Sequence, residues 1–251
     1  MDLGITGRTA AVAASSAGLG LGTARALAAE GVRVAMCGRD MERLAAAVST
    51  ITDAGGDAVA IRADVSTIEG ATEFADAARD ALGQIDILVP NAGGPPIGTF
   101  ASTSLDAYAP ALELSLLSAV AMCQAVVPGM RARAWGRVVA ITSVSVRQPI
   151  AEIILSSTAR TGLTAFLKTL ALEIAADGVT VNSVQPGSHG TDRLKANYGG
   201  DLSAAAAAVP VCHVGRAEDF GAVVAFLCSD QAKFITGAAL PVDGGAYRGL
   251  Q

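Results

Sequence analysis

Short apolar runs rich in β-forming residues alternate with longer helical stretches from one end of the chain to the other. This alternation constrains the fold more than any other feature. The runs at 9–14, 32–37, 57–61, 85–90, 136–141 and 179–184 are too apolar to be half-exposed strands and read as buried ones, with a last strand at 238–242. Between them, residues 19–30, 41–54, 68–82, 105–133, 156–176 and 218–228 carry helical periodicity. Strands that alternate with helices at this spacing form βαβ units. The expectation is therefore an α/β fold, a doubly wound parallel sheet of about seven strands with helices on both faces.

No Pro/Ser linker, composition break or internal repeat divides the chain, so residues 1–251 are expected to form a single domain. With 51% hydrophobic and only 4% aromatic residues, its core must be built from Ala, Val, Leu and Ile. A net charge of −5 argues against nucleic acid as a partner, because phosphate binding needs a basic footprint. The N-terminal MDLGITGRT has no basic leader, and no window reads as a membrane span. Cys37, Cys123, Cys212 and Cys228 are scattered in apolar surroundings without metal-ligand spacing, and are expected to be reduced core thiols. A soluble cytoplasmic protein with no metal follows as the expectation. Residues 188–211 break the pattern with a Gly199-Gly200 pair and an alanine run at 204–208. They are expected to form a substrate lid, an alanine-rich surface helix being the alternative.

The turn after the first strand reads AASSAGLGLG. Gly18 and Gly20, with Leu19 between them and Gly22 beyond, let backbone approach a pyrophosphate where a helix N-terminus offers free N–H groups. Ser15 and Ser16 are placed to donate further hydrogen bonds to phosphate oxygens. The second strand ends in Cys37-Gly38-Arg39-Asp40. Gly38 supplies no carboxylate for a ribose, while Arg39 can pair with a 2′-phosphate, which favours NADP(H) and leaves NAD(H) possible.

With these residues in place, the chain resembles the short-chain dehydrogenase/reductase family along its whole length, the 3-oxoacyl-carrier-protein-reductase-like group most of all. The turn is similar to the family's TGxxxGxG, with Ala13-Ala14 in place of Thr-Gly. Asp64-Val65 resembles the pair that holds adenine. Asn91-Ala92-Gly93 matches the NAG motif, although Pro90 replaces the preceding Asn. Asn182 to Gly187 resembles N-x-V-x-PG, so that Pro186 and Gly187 line the cofactor and Thr191 meets the nicotinamide carboxamide. Ile235-Thr236-Gly237 and Val242-Asp243-Gly244-Gly245 match the C-terminal signature. The resemblance implies a Rossmann fold, a homotetramer or homodimer, and a catalytic Ser, Tyr, Lys and Asn.

Ser143 occupies the Ser position, but Ser156 stands where the family has Tyr, Arg160 where it has Lys, and Ser115 where it has Asn. Ser156 and Arg160, four apart on one helix, share a face. Arg160 can still present a cation to the ribose and the site, but a guanidinium is no proton relay and a serine is far less acidic than a phenol. The candidate proton donors are His189, Tyr198, Glu152 or a water held by Ser143 and Ser156. For His189 the plain alternative is an exposed loop histidine, and His213 reads as structural. Three functions stay open: an NADP(H)-dependent oxidoreductase with a rebuilt site, a non-redox dehydratase, isomerase or cyclase, and a catalytically silent cofactor-binding protein. The lightly charged lid suggests a small hydrophobic or carrier-borne substrate.

Overall fold

The computed structural model, which describes residues 2–250, resolves the alternation into β1 (Thr9–Val12), α1 (Gly18–Ala29), β2 (Arg33–Gly38), α2 (Met41–Thr52), β3 (Asp57–Arg62), α3 (Ile68–Leu82) and β4 (Ile87–Val89). The second half holds α4 (Tyr108–Leu112), α5 (Ser118–Ala132), β5 (Gly136–Ile141), α6 (Ile154–Ile174), β6 (Val179–Pro186), α7 (Asp192–Asn197), α8 (Ser203–Ala207), α9 (Ala217–Leu227) and β7 (Ala239–Val242). All seven strands pair in parallel in one sheet of order β3-β2-β1-β4-β5-β6-β7.

Strand side chains alternate between faces, so the inner strands feed two cores. Ala11, Ala35, Leu88 and Val138 pack against Phe74 of α3, Met122 of α5 and Leu163 of α6. Ala10, Val34, Ile87 and Val139 pack against Leu27 of α1, Leu44 of α2 and Phe220 of α9. The small strand residues draw the helices close. At the extreme, α1 and α9 meet backbone to backbone, because a β-carbon on Gly22 would lie 2.1 Å from Ala217 O. Gly22 is thus a packing glycine, set apart from the phosphate turn.

Three cysteines are buried as expected, but Cys212 is exposed in a loop, where it takes φ +58°. The helix Leu105–Ala132 is long and apolar enough to cross a membrane by length and mean hydropathy (1.6), yet half of its most apolar window is buried inside the fold. It is a core helix, seated on α3, where the Glu113 carboxylate accepts from Ile68 N at the α3 N-terminus. A π turn, Glu113–Leu117, interrupts it and places Ser115 at the bulge.

Candidate active site

The strand order reverses between β1 and β4, and the crevice outside the carboxyl ends of these strands is where open α/β sheets bind ligands. The glycine turn follows β1 and the Asn91 loop follows β4, so both border this crevice. Asn91 ties them together, its Nδ2 donating to Ala13 O and Ala14 O, both at 3.2 Å. Gly18 takes φ +57°, the left-handed turn that aims the next amides outward. The α1 N-terminus has no side-chain cap and no acidic residue in its first turn, which leaves its N–H groups to a phosphate. Leu19 is part-buried against the α1/α9 core, and Gly20 is buried tightly under Ala14 O.

The two serines separate. Ser15 is fully buried, its hydroxyl donating to Val12 O at 2.8 Å and accepting from Cys37 N at 3.1 Å. Its one proton is committed inside the fold, so the expected donation to phosphate falls to Ser16, which lies against Gly38. Arg39 projects from the tip of β2. Arg62 ends β3 in register with Gly38, a second cation that no motif pointed to. Asp64 is exposed and accepts from Ser66 N, while the Val65 side chain is buried in the core. These residues fit a dinucleotide with a phosphorylated ribose.

Across the crevice, Pro186 ends β6. Gly187 N donates to Val242 O, and a β-carbon at Gly187 would strike Asp243, so the C-terminal signature serves to pack this turn. Thr191 caps α7 by accepting from Leu194 N, and its methyl reaches Gly18. Asp192 pairs with Arg43 of α2 at 2.5 Å, and Arg193 Nη2 donates to Pro95 O at 3.0 Å. The segment that opens the expected lid therefore touches the loops after β1 and β4 and the helix after β2. Gly93 is exposed in the loop it spans.

At the centre, Ser143 caps a short turn by accepting from Ser145 N at 3.1 Å, which leaves its hydroxyl proton free. Ser156 and Arg160 are buried on α6, with Arg160 Nε donating to Ser156 Oγ at 3.2 Å. Arg160 Nη1 donates to Ile141 O at 2.9 Å and Thr142 O at 3.2 Å, the last carbonyls of β5 and the residue after it. Burial, and then the nearby Arg193 cation, pull the Arg160 pKa down to about 10, so it remains charged at neutral pH. Arg160, Asn91, Ser115 and Met122 enclose a cavity of about 10 Å³, near the least a water needs. Among the described residues Ser115 Oγ has no hydrogen-bond partner. A larger hollow of about 210 Å³ opens beside the β7 edge, lined by Arg147, Lys168 and Ala239, away from the β1/β4 crevice.

A family model described as Enoyl-(Acyl carrier protein) reductase matches residues 13–247. The 3beta-hydroxysteroid dehydrogenase 1 of Eggerthella lenta is 35% identical, over 98% of this chain and 97% of its own length. The chain belongs to the short-chain dehydrogenase/reductase family. The 3-oxoacyl-[acyl-carrier-protein] reductase of Salmonella typhimurium is 34% identical, covering 96% of this chain and 98% of its own. The crystal structure of L-sorbose reductase from Gluconobacter frateurii, complexed with NADPH and L-sorbose, aligns with a TM-score of 0.93 at 32% identity, covering 100% of both chains.

Within this short-chain dehydrogenase/reductase frame, Ser143 and the Ser156–Arg160 pair flank the end of β5, with Ser115 and Arg160 sharing the small cavity. The expected proton donors do not join them. His189 is no exposed loop residue: it is buried edge-on against Phe220 of α9 at 5.2 Å, with Nδ1 3.2 Å from Gly187 O. Burial lowers its pKa, so it is neutral at pH 7. Tyr198 ends α7 on the exposed side, and Glu152 is exposed, holding Gly98 N only through its backbone carbonyl. Arg193 and Arg62 are the residues sequence reading missed. No spacing rule marks an arginine on a short helix after β6 or on a strand tip, and only the sheet order brings them to the crevice.

Proposed function

We propose that the chain is an NADP(H)-dependent oxidoreductase that reduces a carbonyl, or oxidises the alcohol, at a site rebuilt around Ser143, Ser156 and Arg160. The observation that carries this reading is the crevice. An uncapped helix N-terminus and the cations Arg39 and Arg62, neither in an ion pair among the described residues, stand at the carboxyl ends of β1, β2 and β3, where a phosphorylated dinucleotide lies in this family. The NADPH complex of the L-sorbose reductase supports the choice of cofactor.

Bound NADPH supplies the hydride. The Ser143 hydroxyl, its proton free, hydrogen-bonds the carbonyl oxygen and orients it. The Arg160 cation, fixed by three hydrogen bonds, stabilises the charge that develops on that oxygen without having to reorient. Arg160 does not give up its proton, so the alkoxide takes one from water entering beside Ser156. Residues 188–211 act as the lid, and the Asp192–Arg43 and Arg193–Pro95 contacts are its latches. By family likeness the working form is a cytoplasmic homotetramer. The buried thiols of Cys37 and Cys123, their pKa raised to about 12, suit a reducing compartment in being unreactive.

A second reading, nicotinamide binding without turnover, draws on the engagement of Arg160 with β5 carbonyls. The test is NADPH titration by fluorescence, then NADPH consumption with ketones, aldehydes, imines and acyl thioesters. We expect binding, turnover on one of these classes, and a fall in kcat of about 10²-fold in Ser143→Ala. Tight binding without turnover on any class would select the second reading, and failure to bind either nicotinamide cofactor would remove both.

A further inference from the structure

We propose that the substrate is an oxo acid, whose carboxylate is held by Arg193 with Arg160 behind it. The carbonyl half of this statement rests on the reductase reading above. The anionic half rests on where the two guanidinium groups lie and on what surrounds them.

In the sheet, β5 stands between β4 and β6. Arg193 follows β6 and Pro95 follows β4, so the 3.0 Å bond from Arg193 Nη2 to Pro95 O links the loops on either side of β5. A β-carbon at Gly94 would overlap the Arg193 guanidinium, which therefore lies directly on this loop. Arg160 shares a cavity with Pro90, Asn91 and Ala92 of the same loop, and bonds the last carbonyls at the end of β5. Both cations lie against residues 90–95, close enough for Arg193 to add to the lowering of the Arg160 pKa that burial begins.

Neither has a counter-ion. Among the described residues all the ion pairs involve other arginines, and the acceptors of Arg160 and Arg193 are neutral carbonyls and one hydroxyl. The other buried arginine, Arg137, does reach a carboxylate, Asp230, at 3.4 Å. Arg160 is buried while Arg193 is open to solvent beside it, so a buried cation without an anion has an accessible guanidinium next to it, and a carboxylate held by that planar group would offset the cost of the burial.

The experiment compares pyruvate, acetoacetate and levulinate with their methyl esters, in turnover with NADPH and in direct calorimetric binding to the protein with and without NADPH. We expect at least one acid to exceed its ester by 30-fold or more, about 2 kcal/mol. That ratio should fall towards one in Arg193→Met and recover in part in Arg193→Lys, while NADPH affinity stays within about two-fold. If esters bind as well as acids in the wild type, the proposal is wrong even where reduction occurs. If Arg193→Met weakens NADPH and leaves the acid-to-ester ratio intact, Arg193 belongs to the cofactor and the proposal is again wrong. A protein that binds no NADPH refutes the reductase reading, and the acid-to-ester ratio in binding to the free protein then still decides the anion site.

Discussion

Ala14 takes φ +46° at the turn after β1, where the family pattern has glycine. A side chain in this left-handed region costs about 1–2 kcal/mol, offset in part by the greater freedom glycine has in the unfolded chain. Ala14→Gly should therefore stabilise the fold by about 1 kcal/mol and raise Tm by about 2–4 °C, measurable by calorimetry. Arg160 sets a second expectation at this scale. Burial first, and Arg193 second, lower its pKa to about 10, and a base with a lowered pKa still holds its proton below that value. His189, the one histidine near the β6 turn, is buried against α9. With no group at the centre titrating near neutrality, kcat should be flat from about pH 6 to 9 and decline only as pH approaches 10. A bell-shaped profile centred near pH 7 would identify a general acid outside this set.

Among the elements, α1 and α9 show how glycine placement sets geometry. The Cβ of Gly22→Ala would fall 2.1 Å from Ala217 O, and that of Gly221→Ala 2.2 Å from Gly22 O. Alanine favours a helix by about 1 kcal/mol, but forcing two backbones apart outweighs this. Gly22→Ala should destabilise by about 3 kcal/mol, read as a lower urea midpoint at unchanged m-value. The shift would also tilt α1, and so the amides that face the phosphate. The helix Leu105–Ala132 makes a related point: its π turn is what carries Ser115 Oγ into a buried position beside Arg160.

For the whole molecule, β7 is an open sheet edge flanked by exposed apolar side chains: Leu240 on the strand, Leu172 on α6 and Phe234 before the strand. An uncovered strand edge with apolar neighbours favours pairing with a second copy. Light scattering of the purified protein should give four times the protomer mass, and Leu240→Glu together with Leu172→Glu should reduce it to a dimer or monomer. A monomer in the wild type would overturn the expected assembly.

The sequence by itself determined the sheet, the strand-helix alternation and the glycine turn. Periodicity and turn chemistry are local, and they act within ten or so residues along the chain. It also placed Ser156 and Arg160 on one helix face, because four residues make about one turn. Tertiary structure decided the rest. Ser15 and Ser16 are neighbours with equal chemistry, and only packing against Val12 and Cys37 withdraws the first from the phosphate side. His189 looked free to act as an acid until α9 closed over it, and Arg193 carried no signal until the order of β4, β5 and β6 brought it onto the loop after β4. These are contacts between distant segments, and their energies depend on which strands become neighbours, which no local pattern encodes.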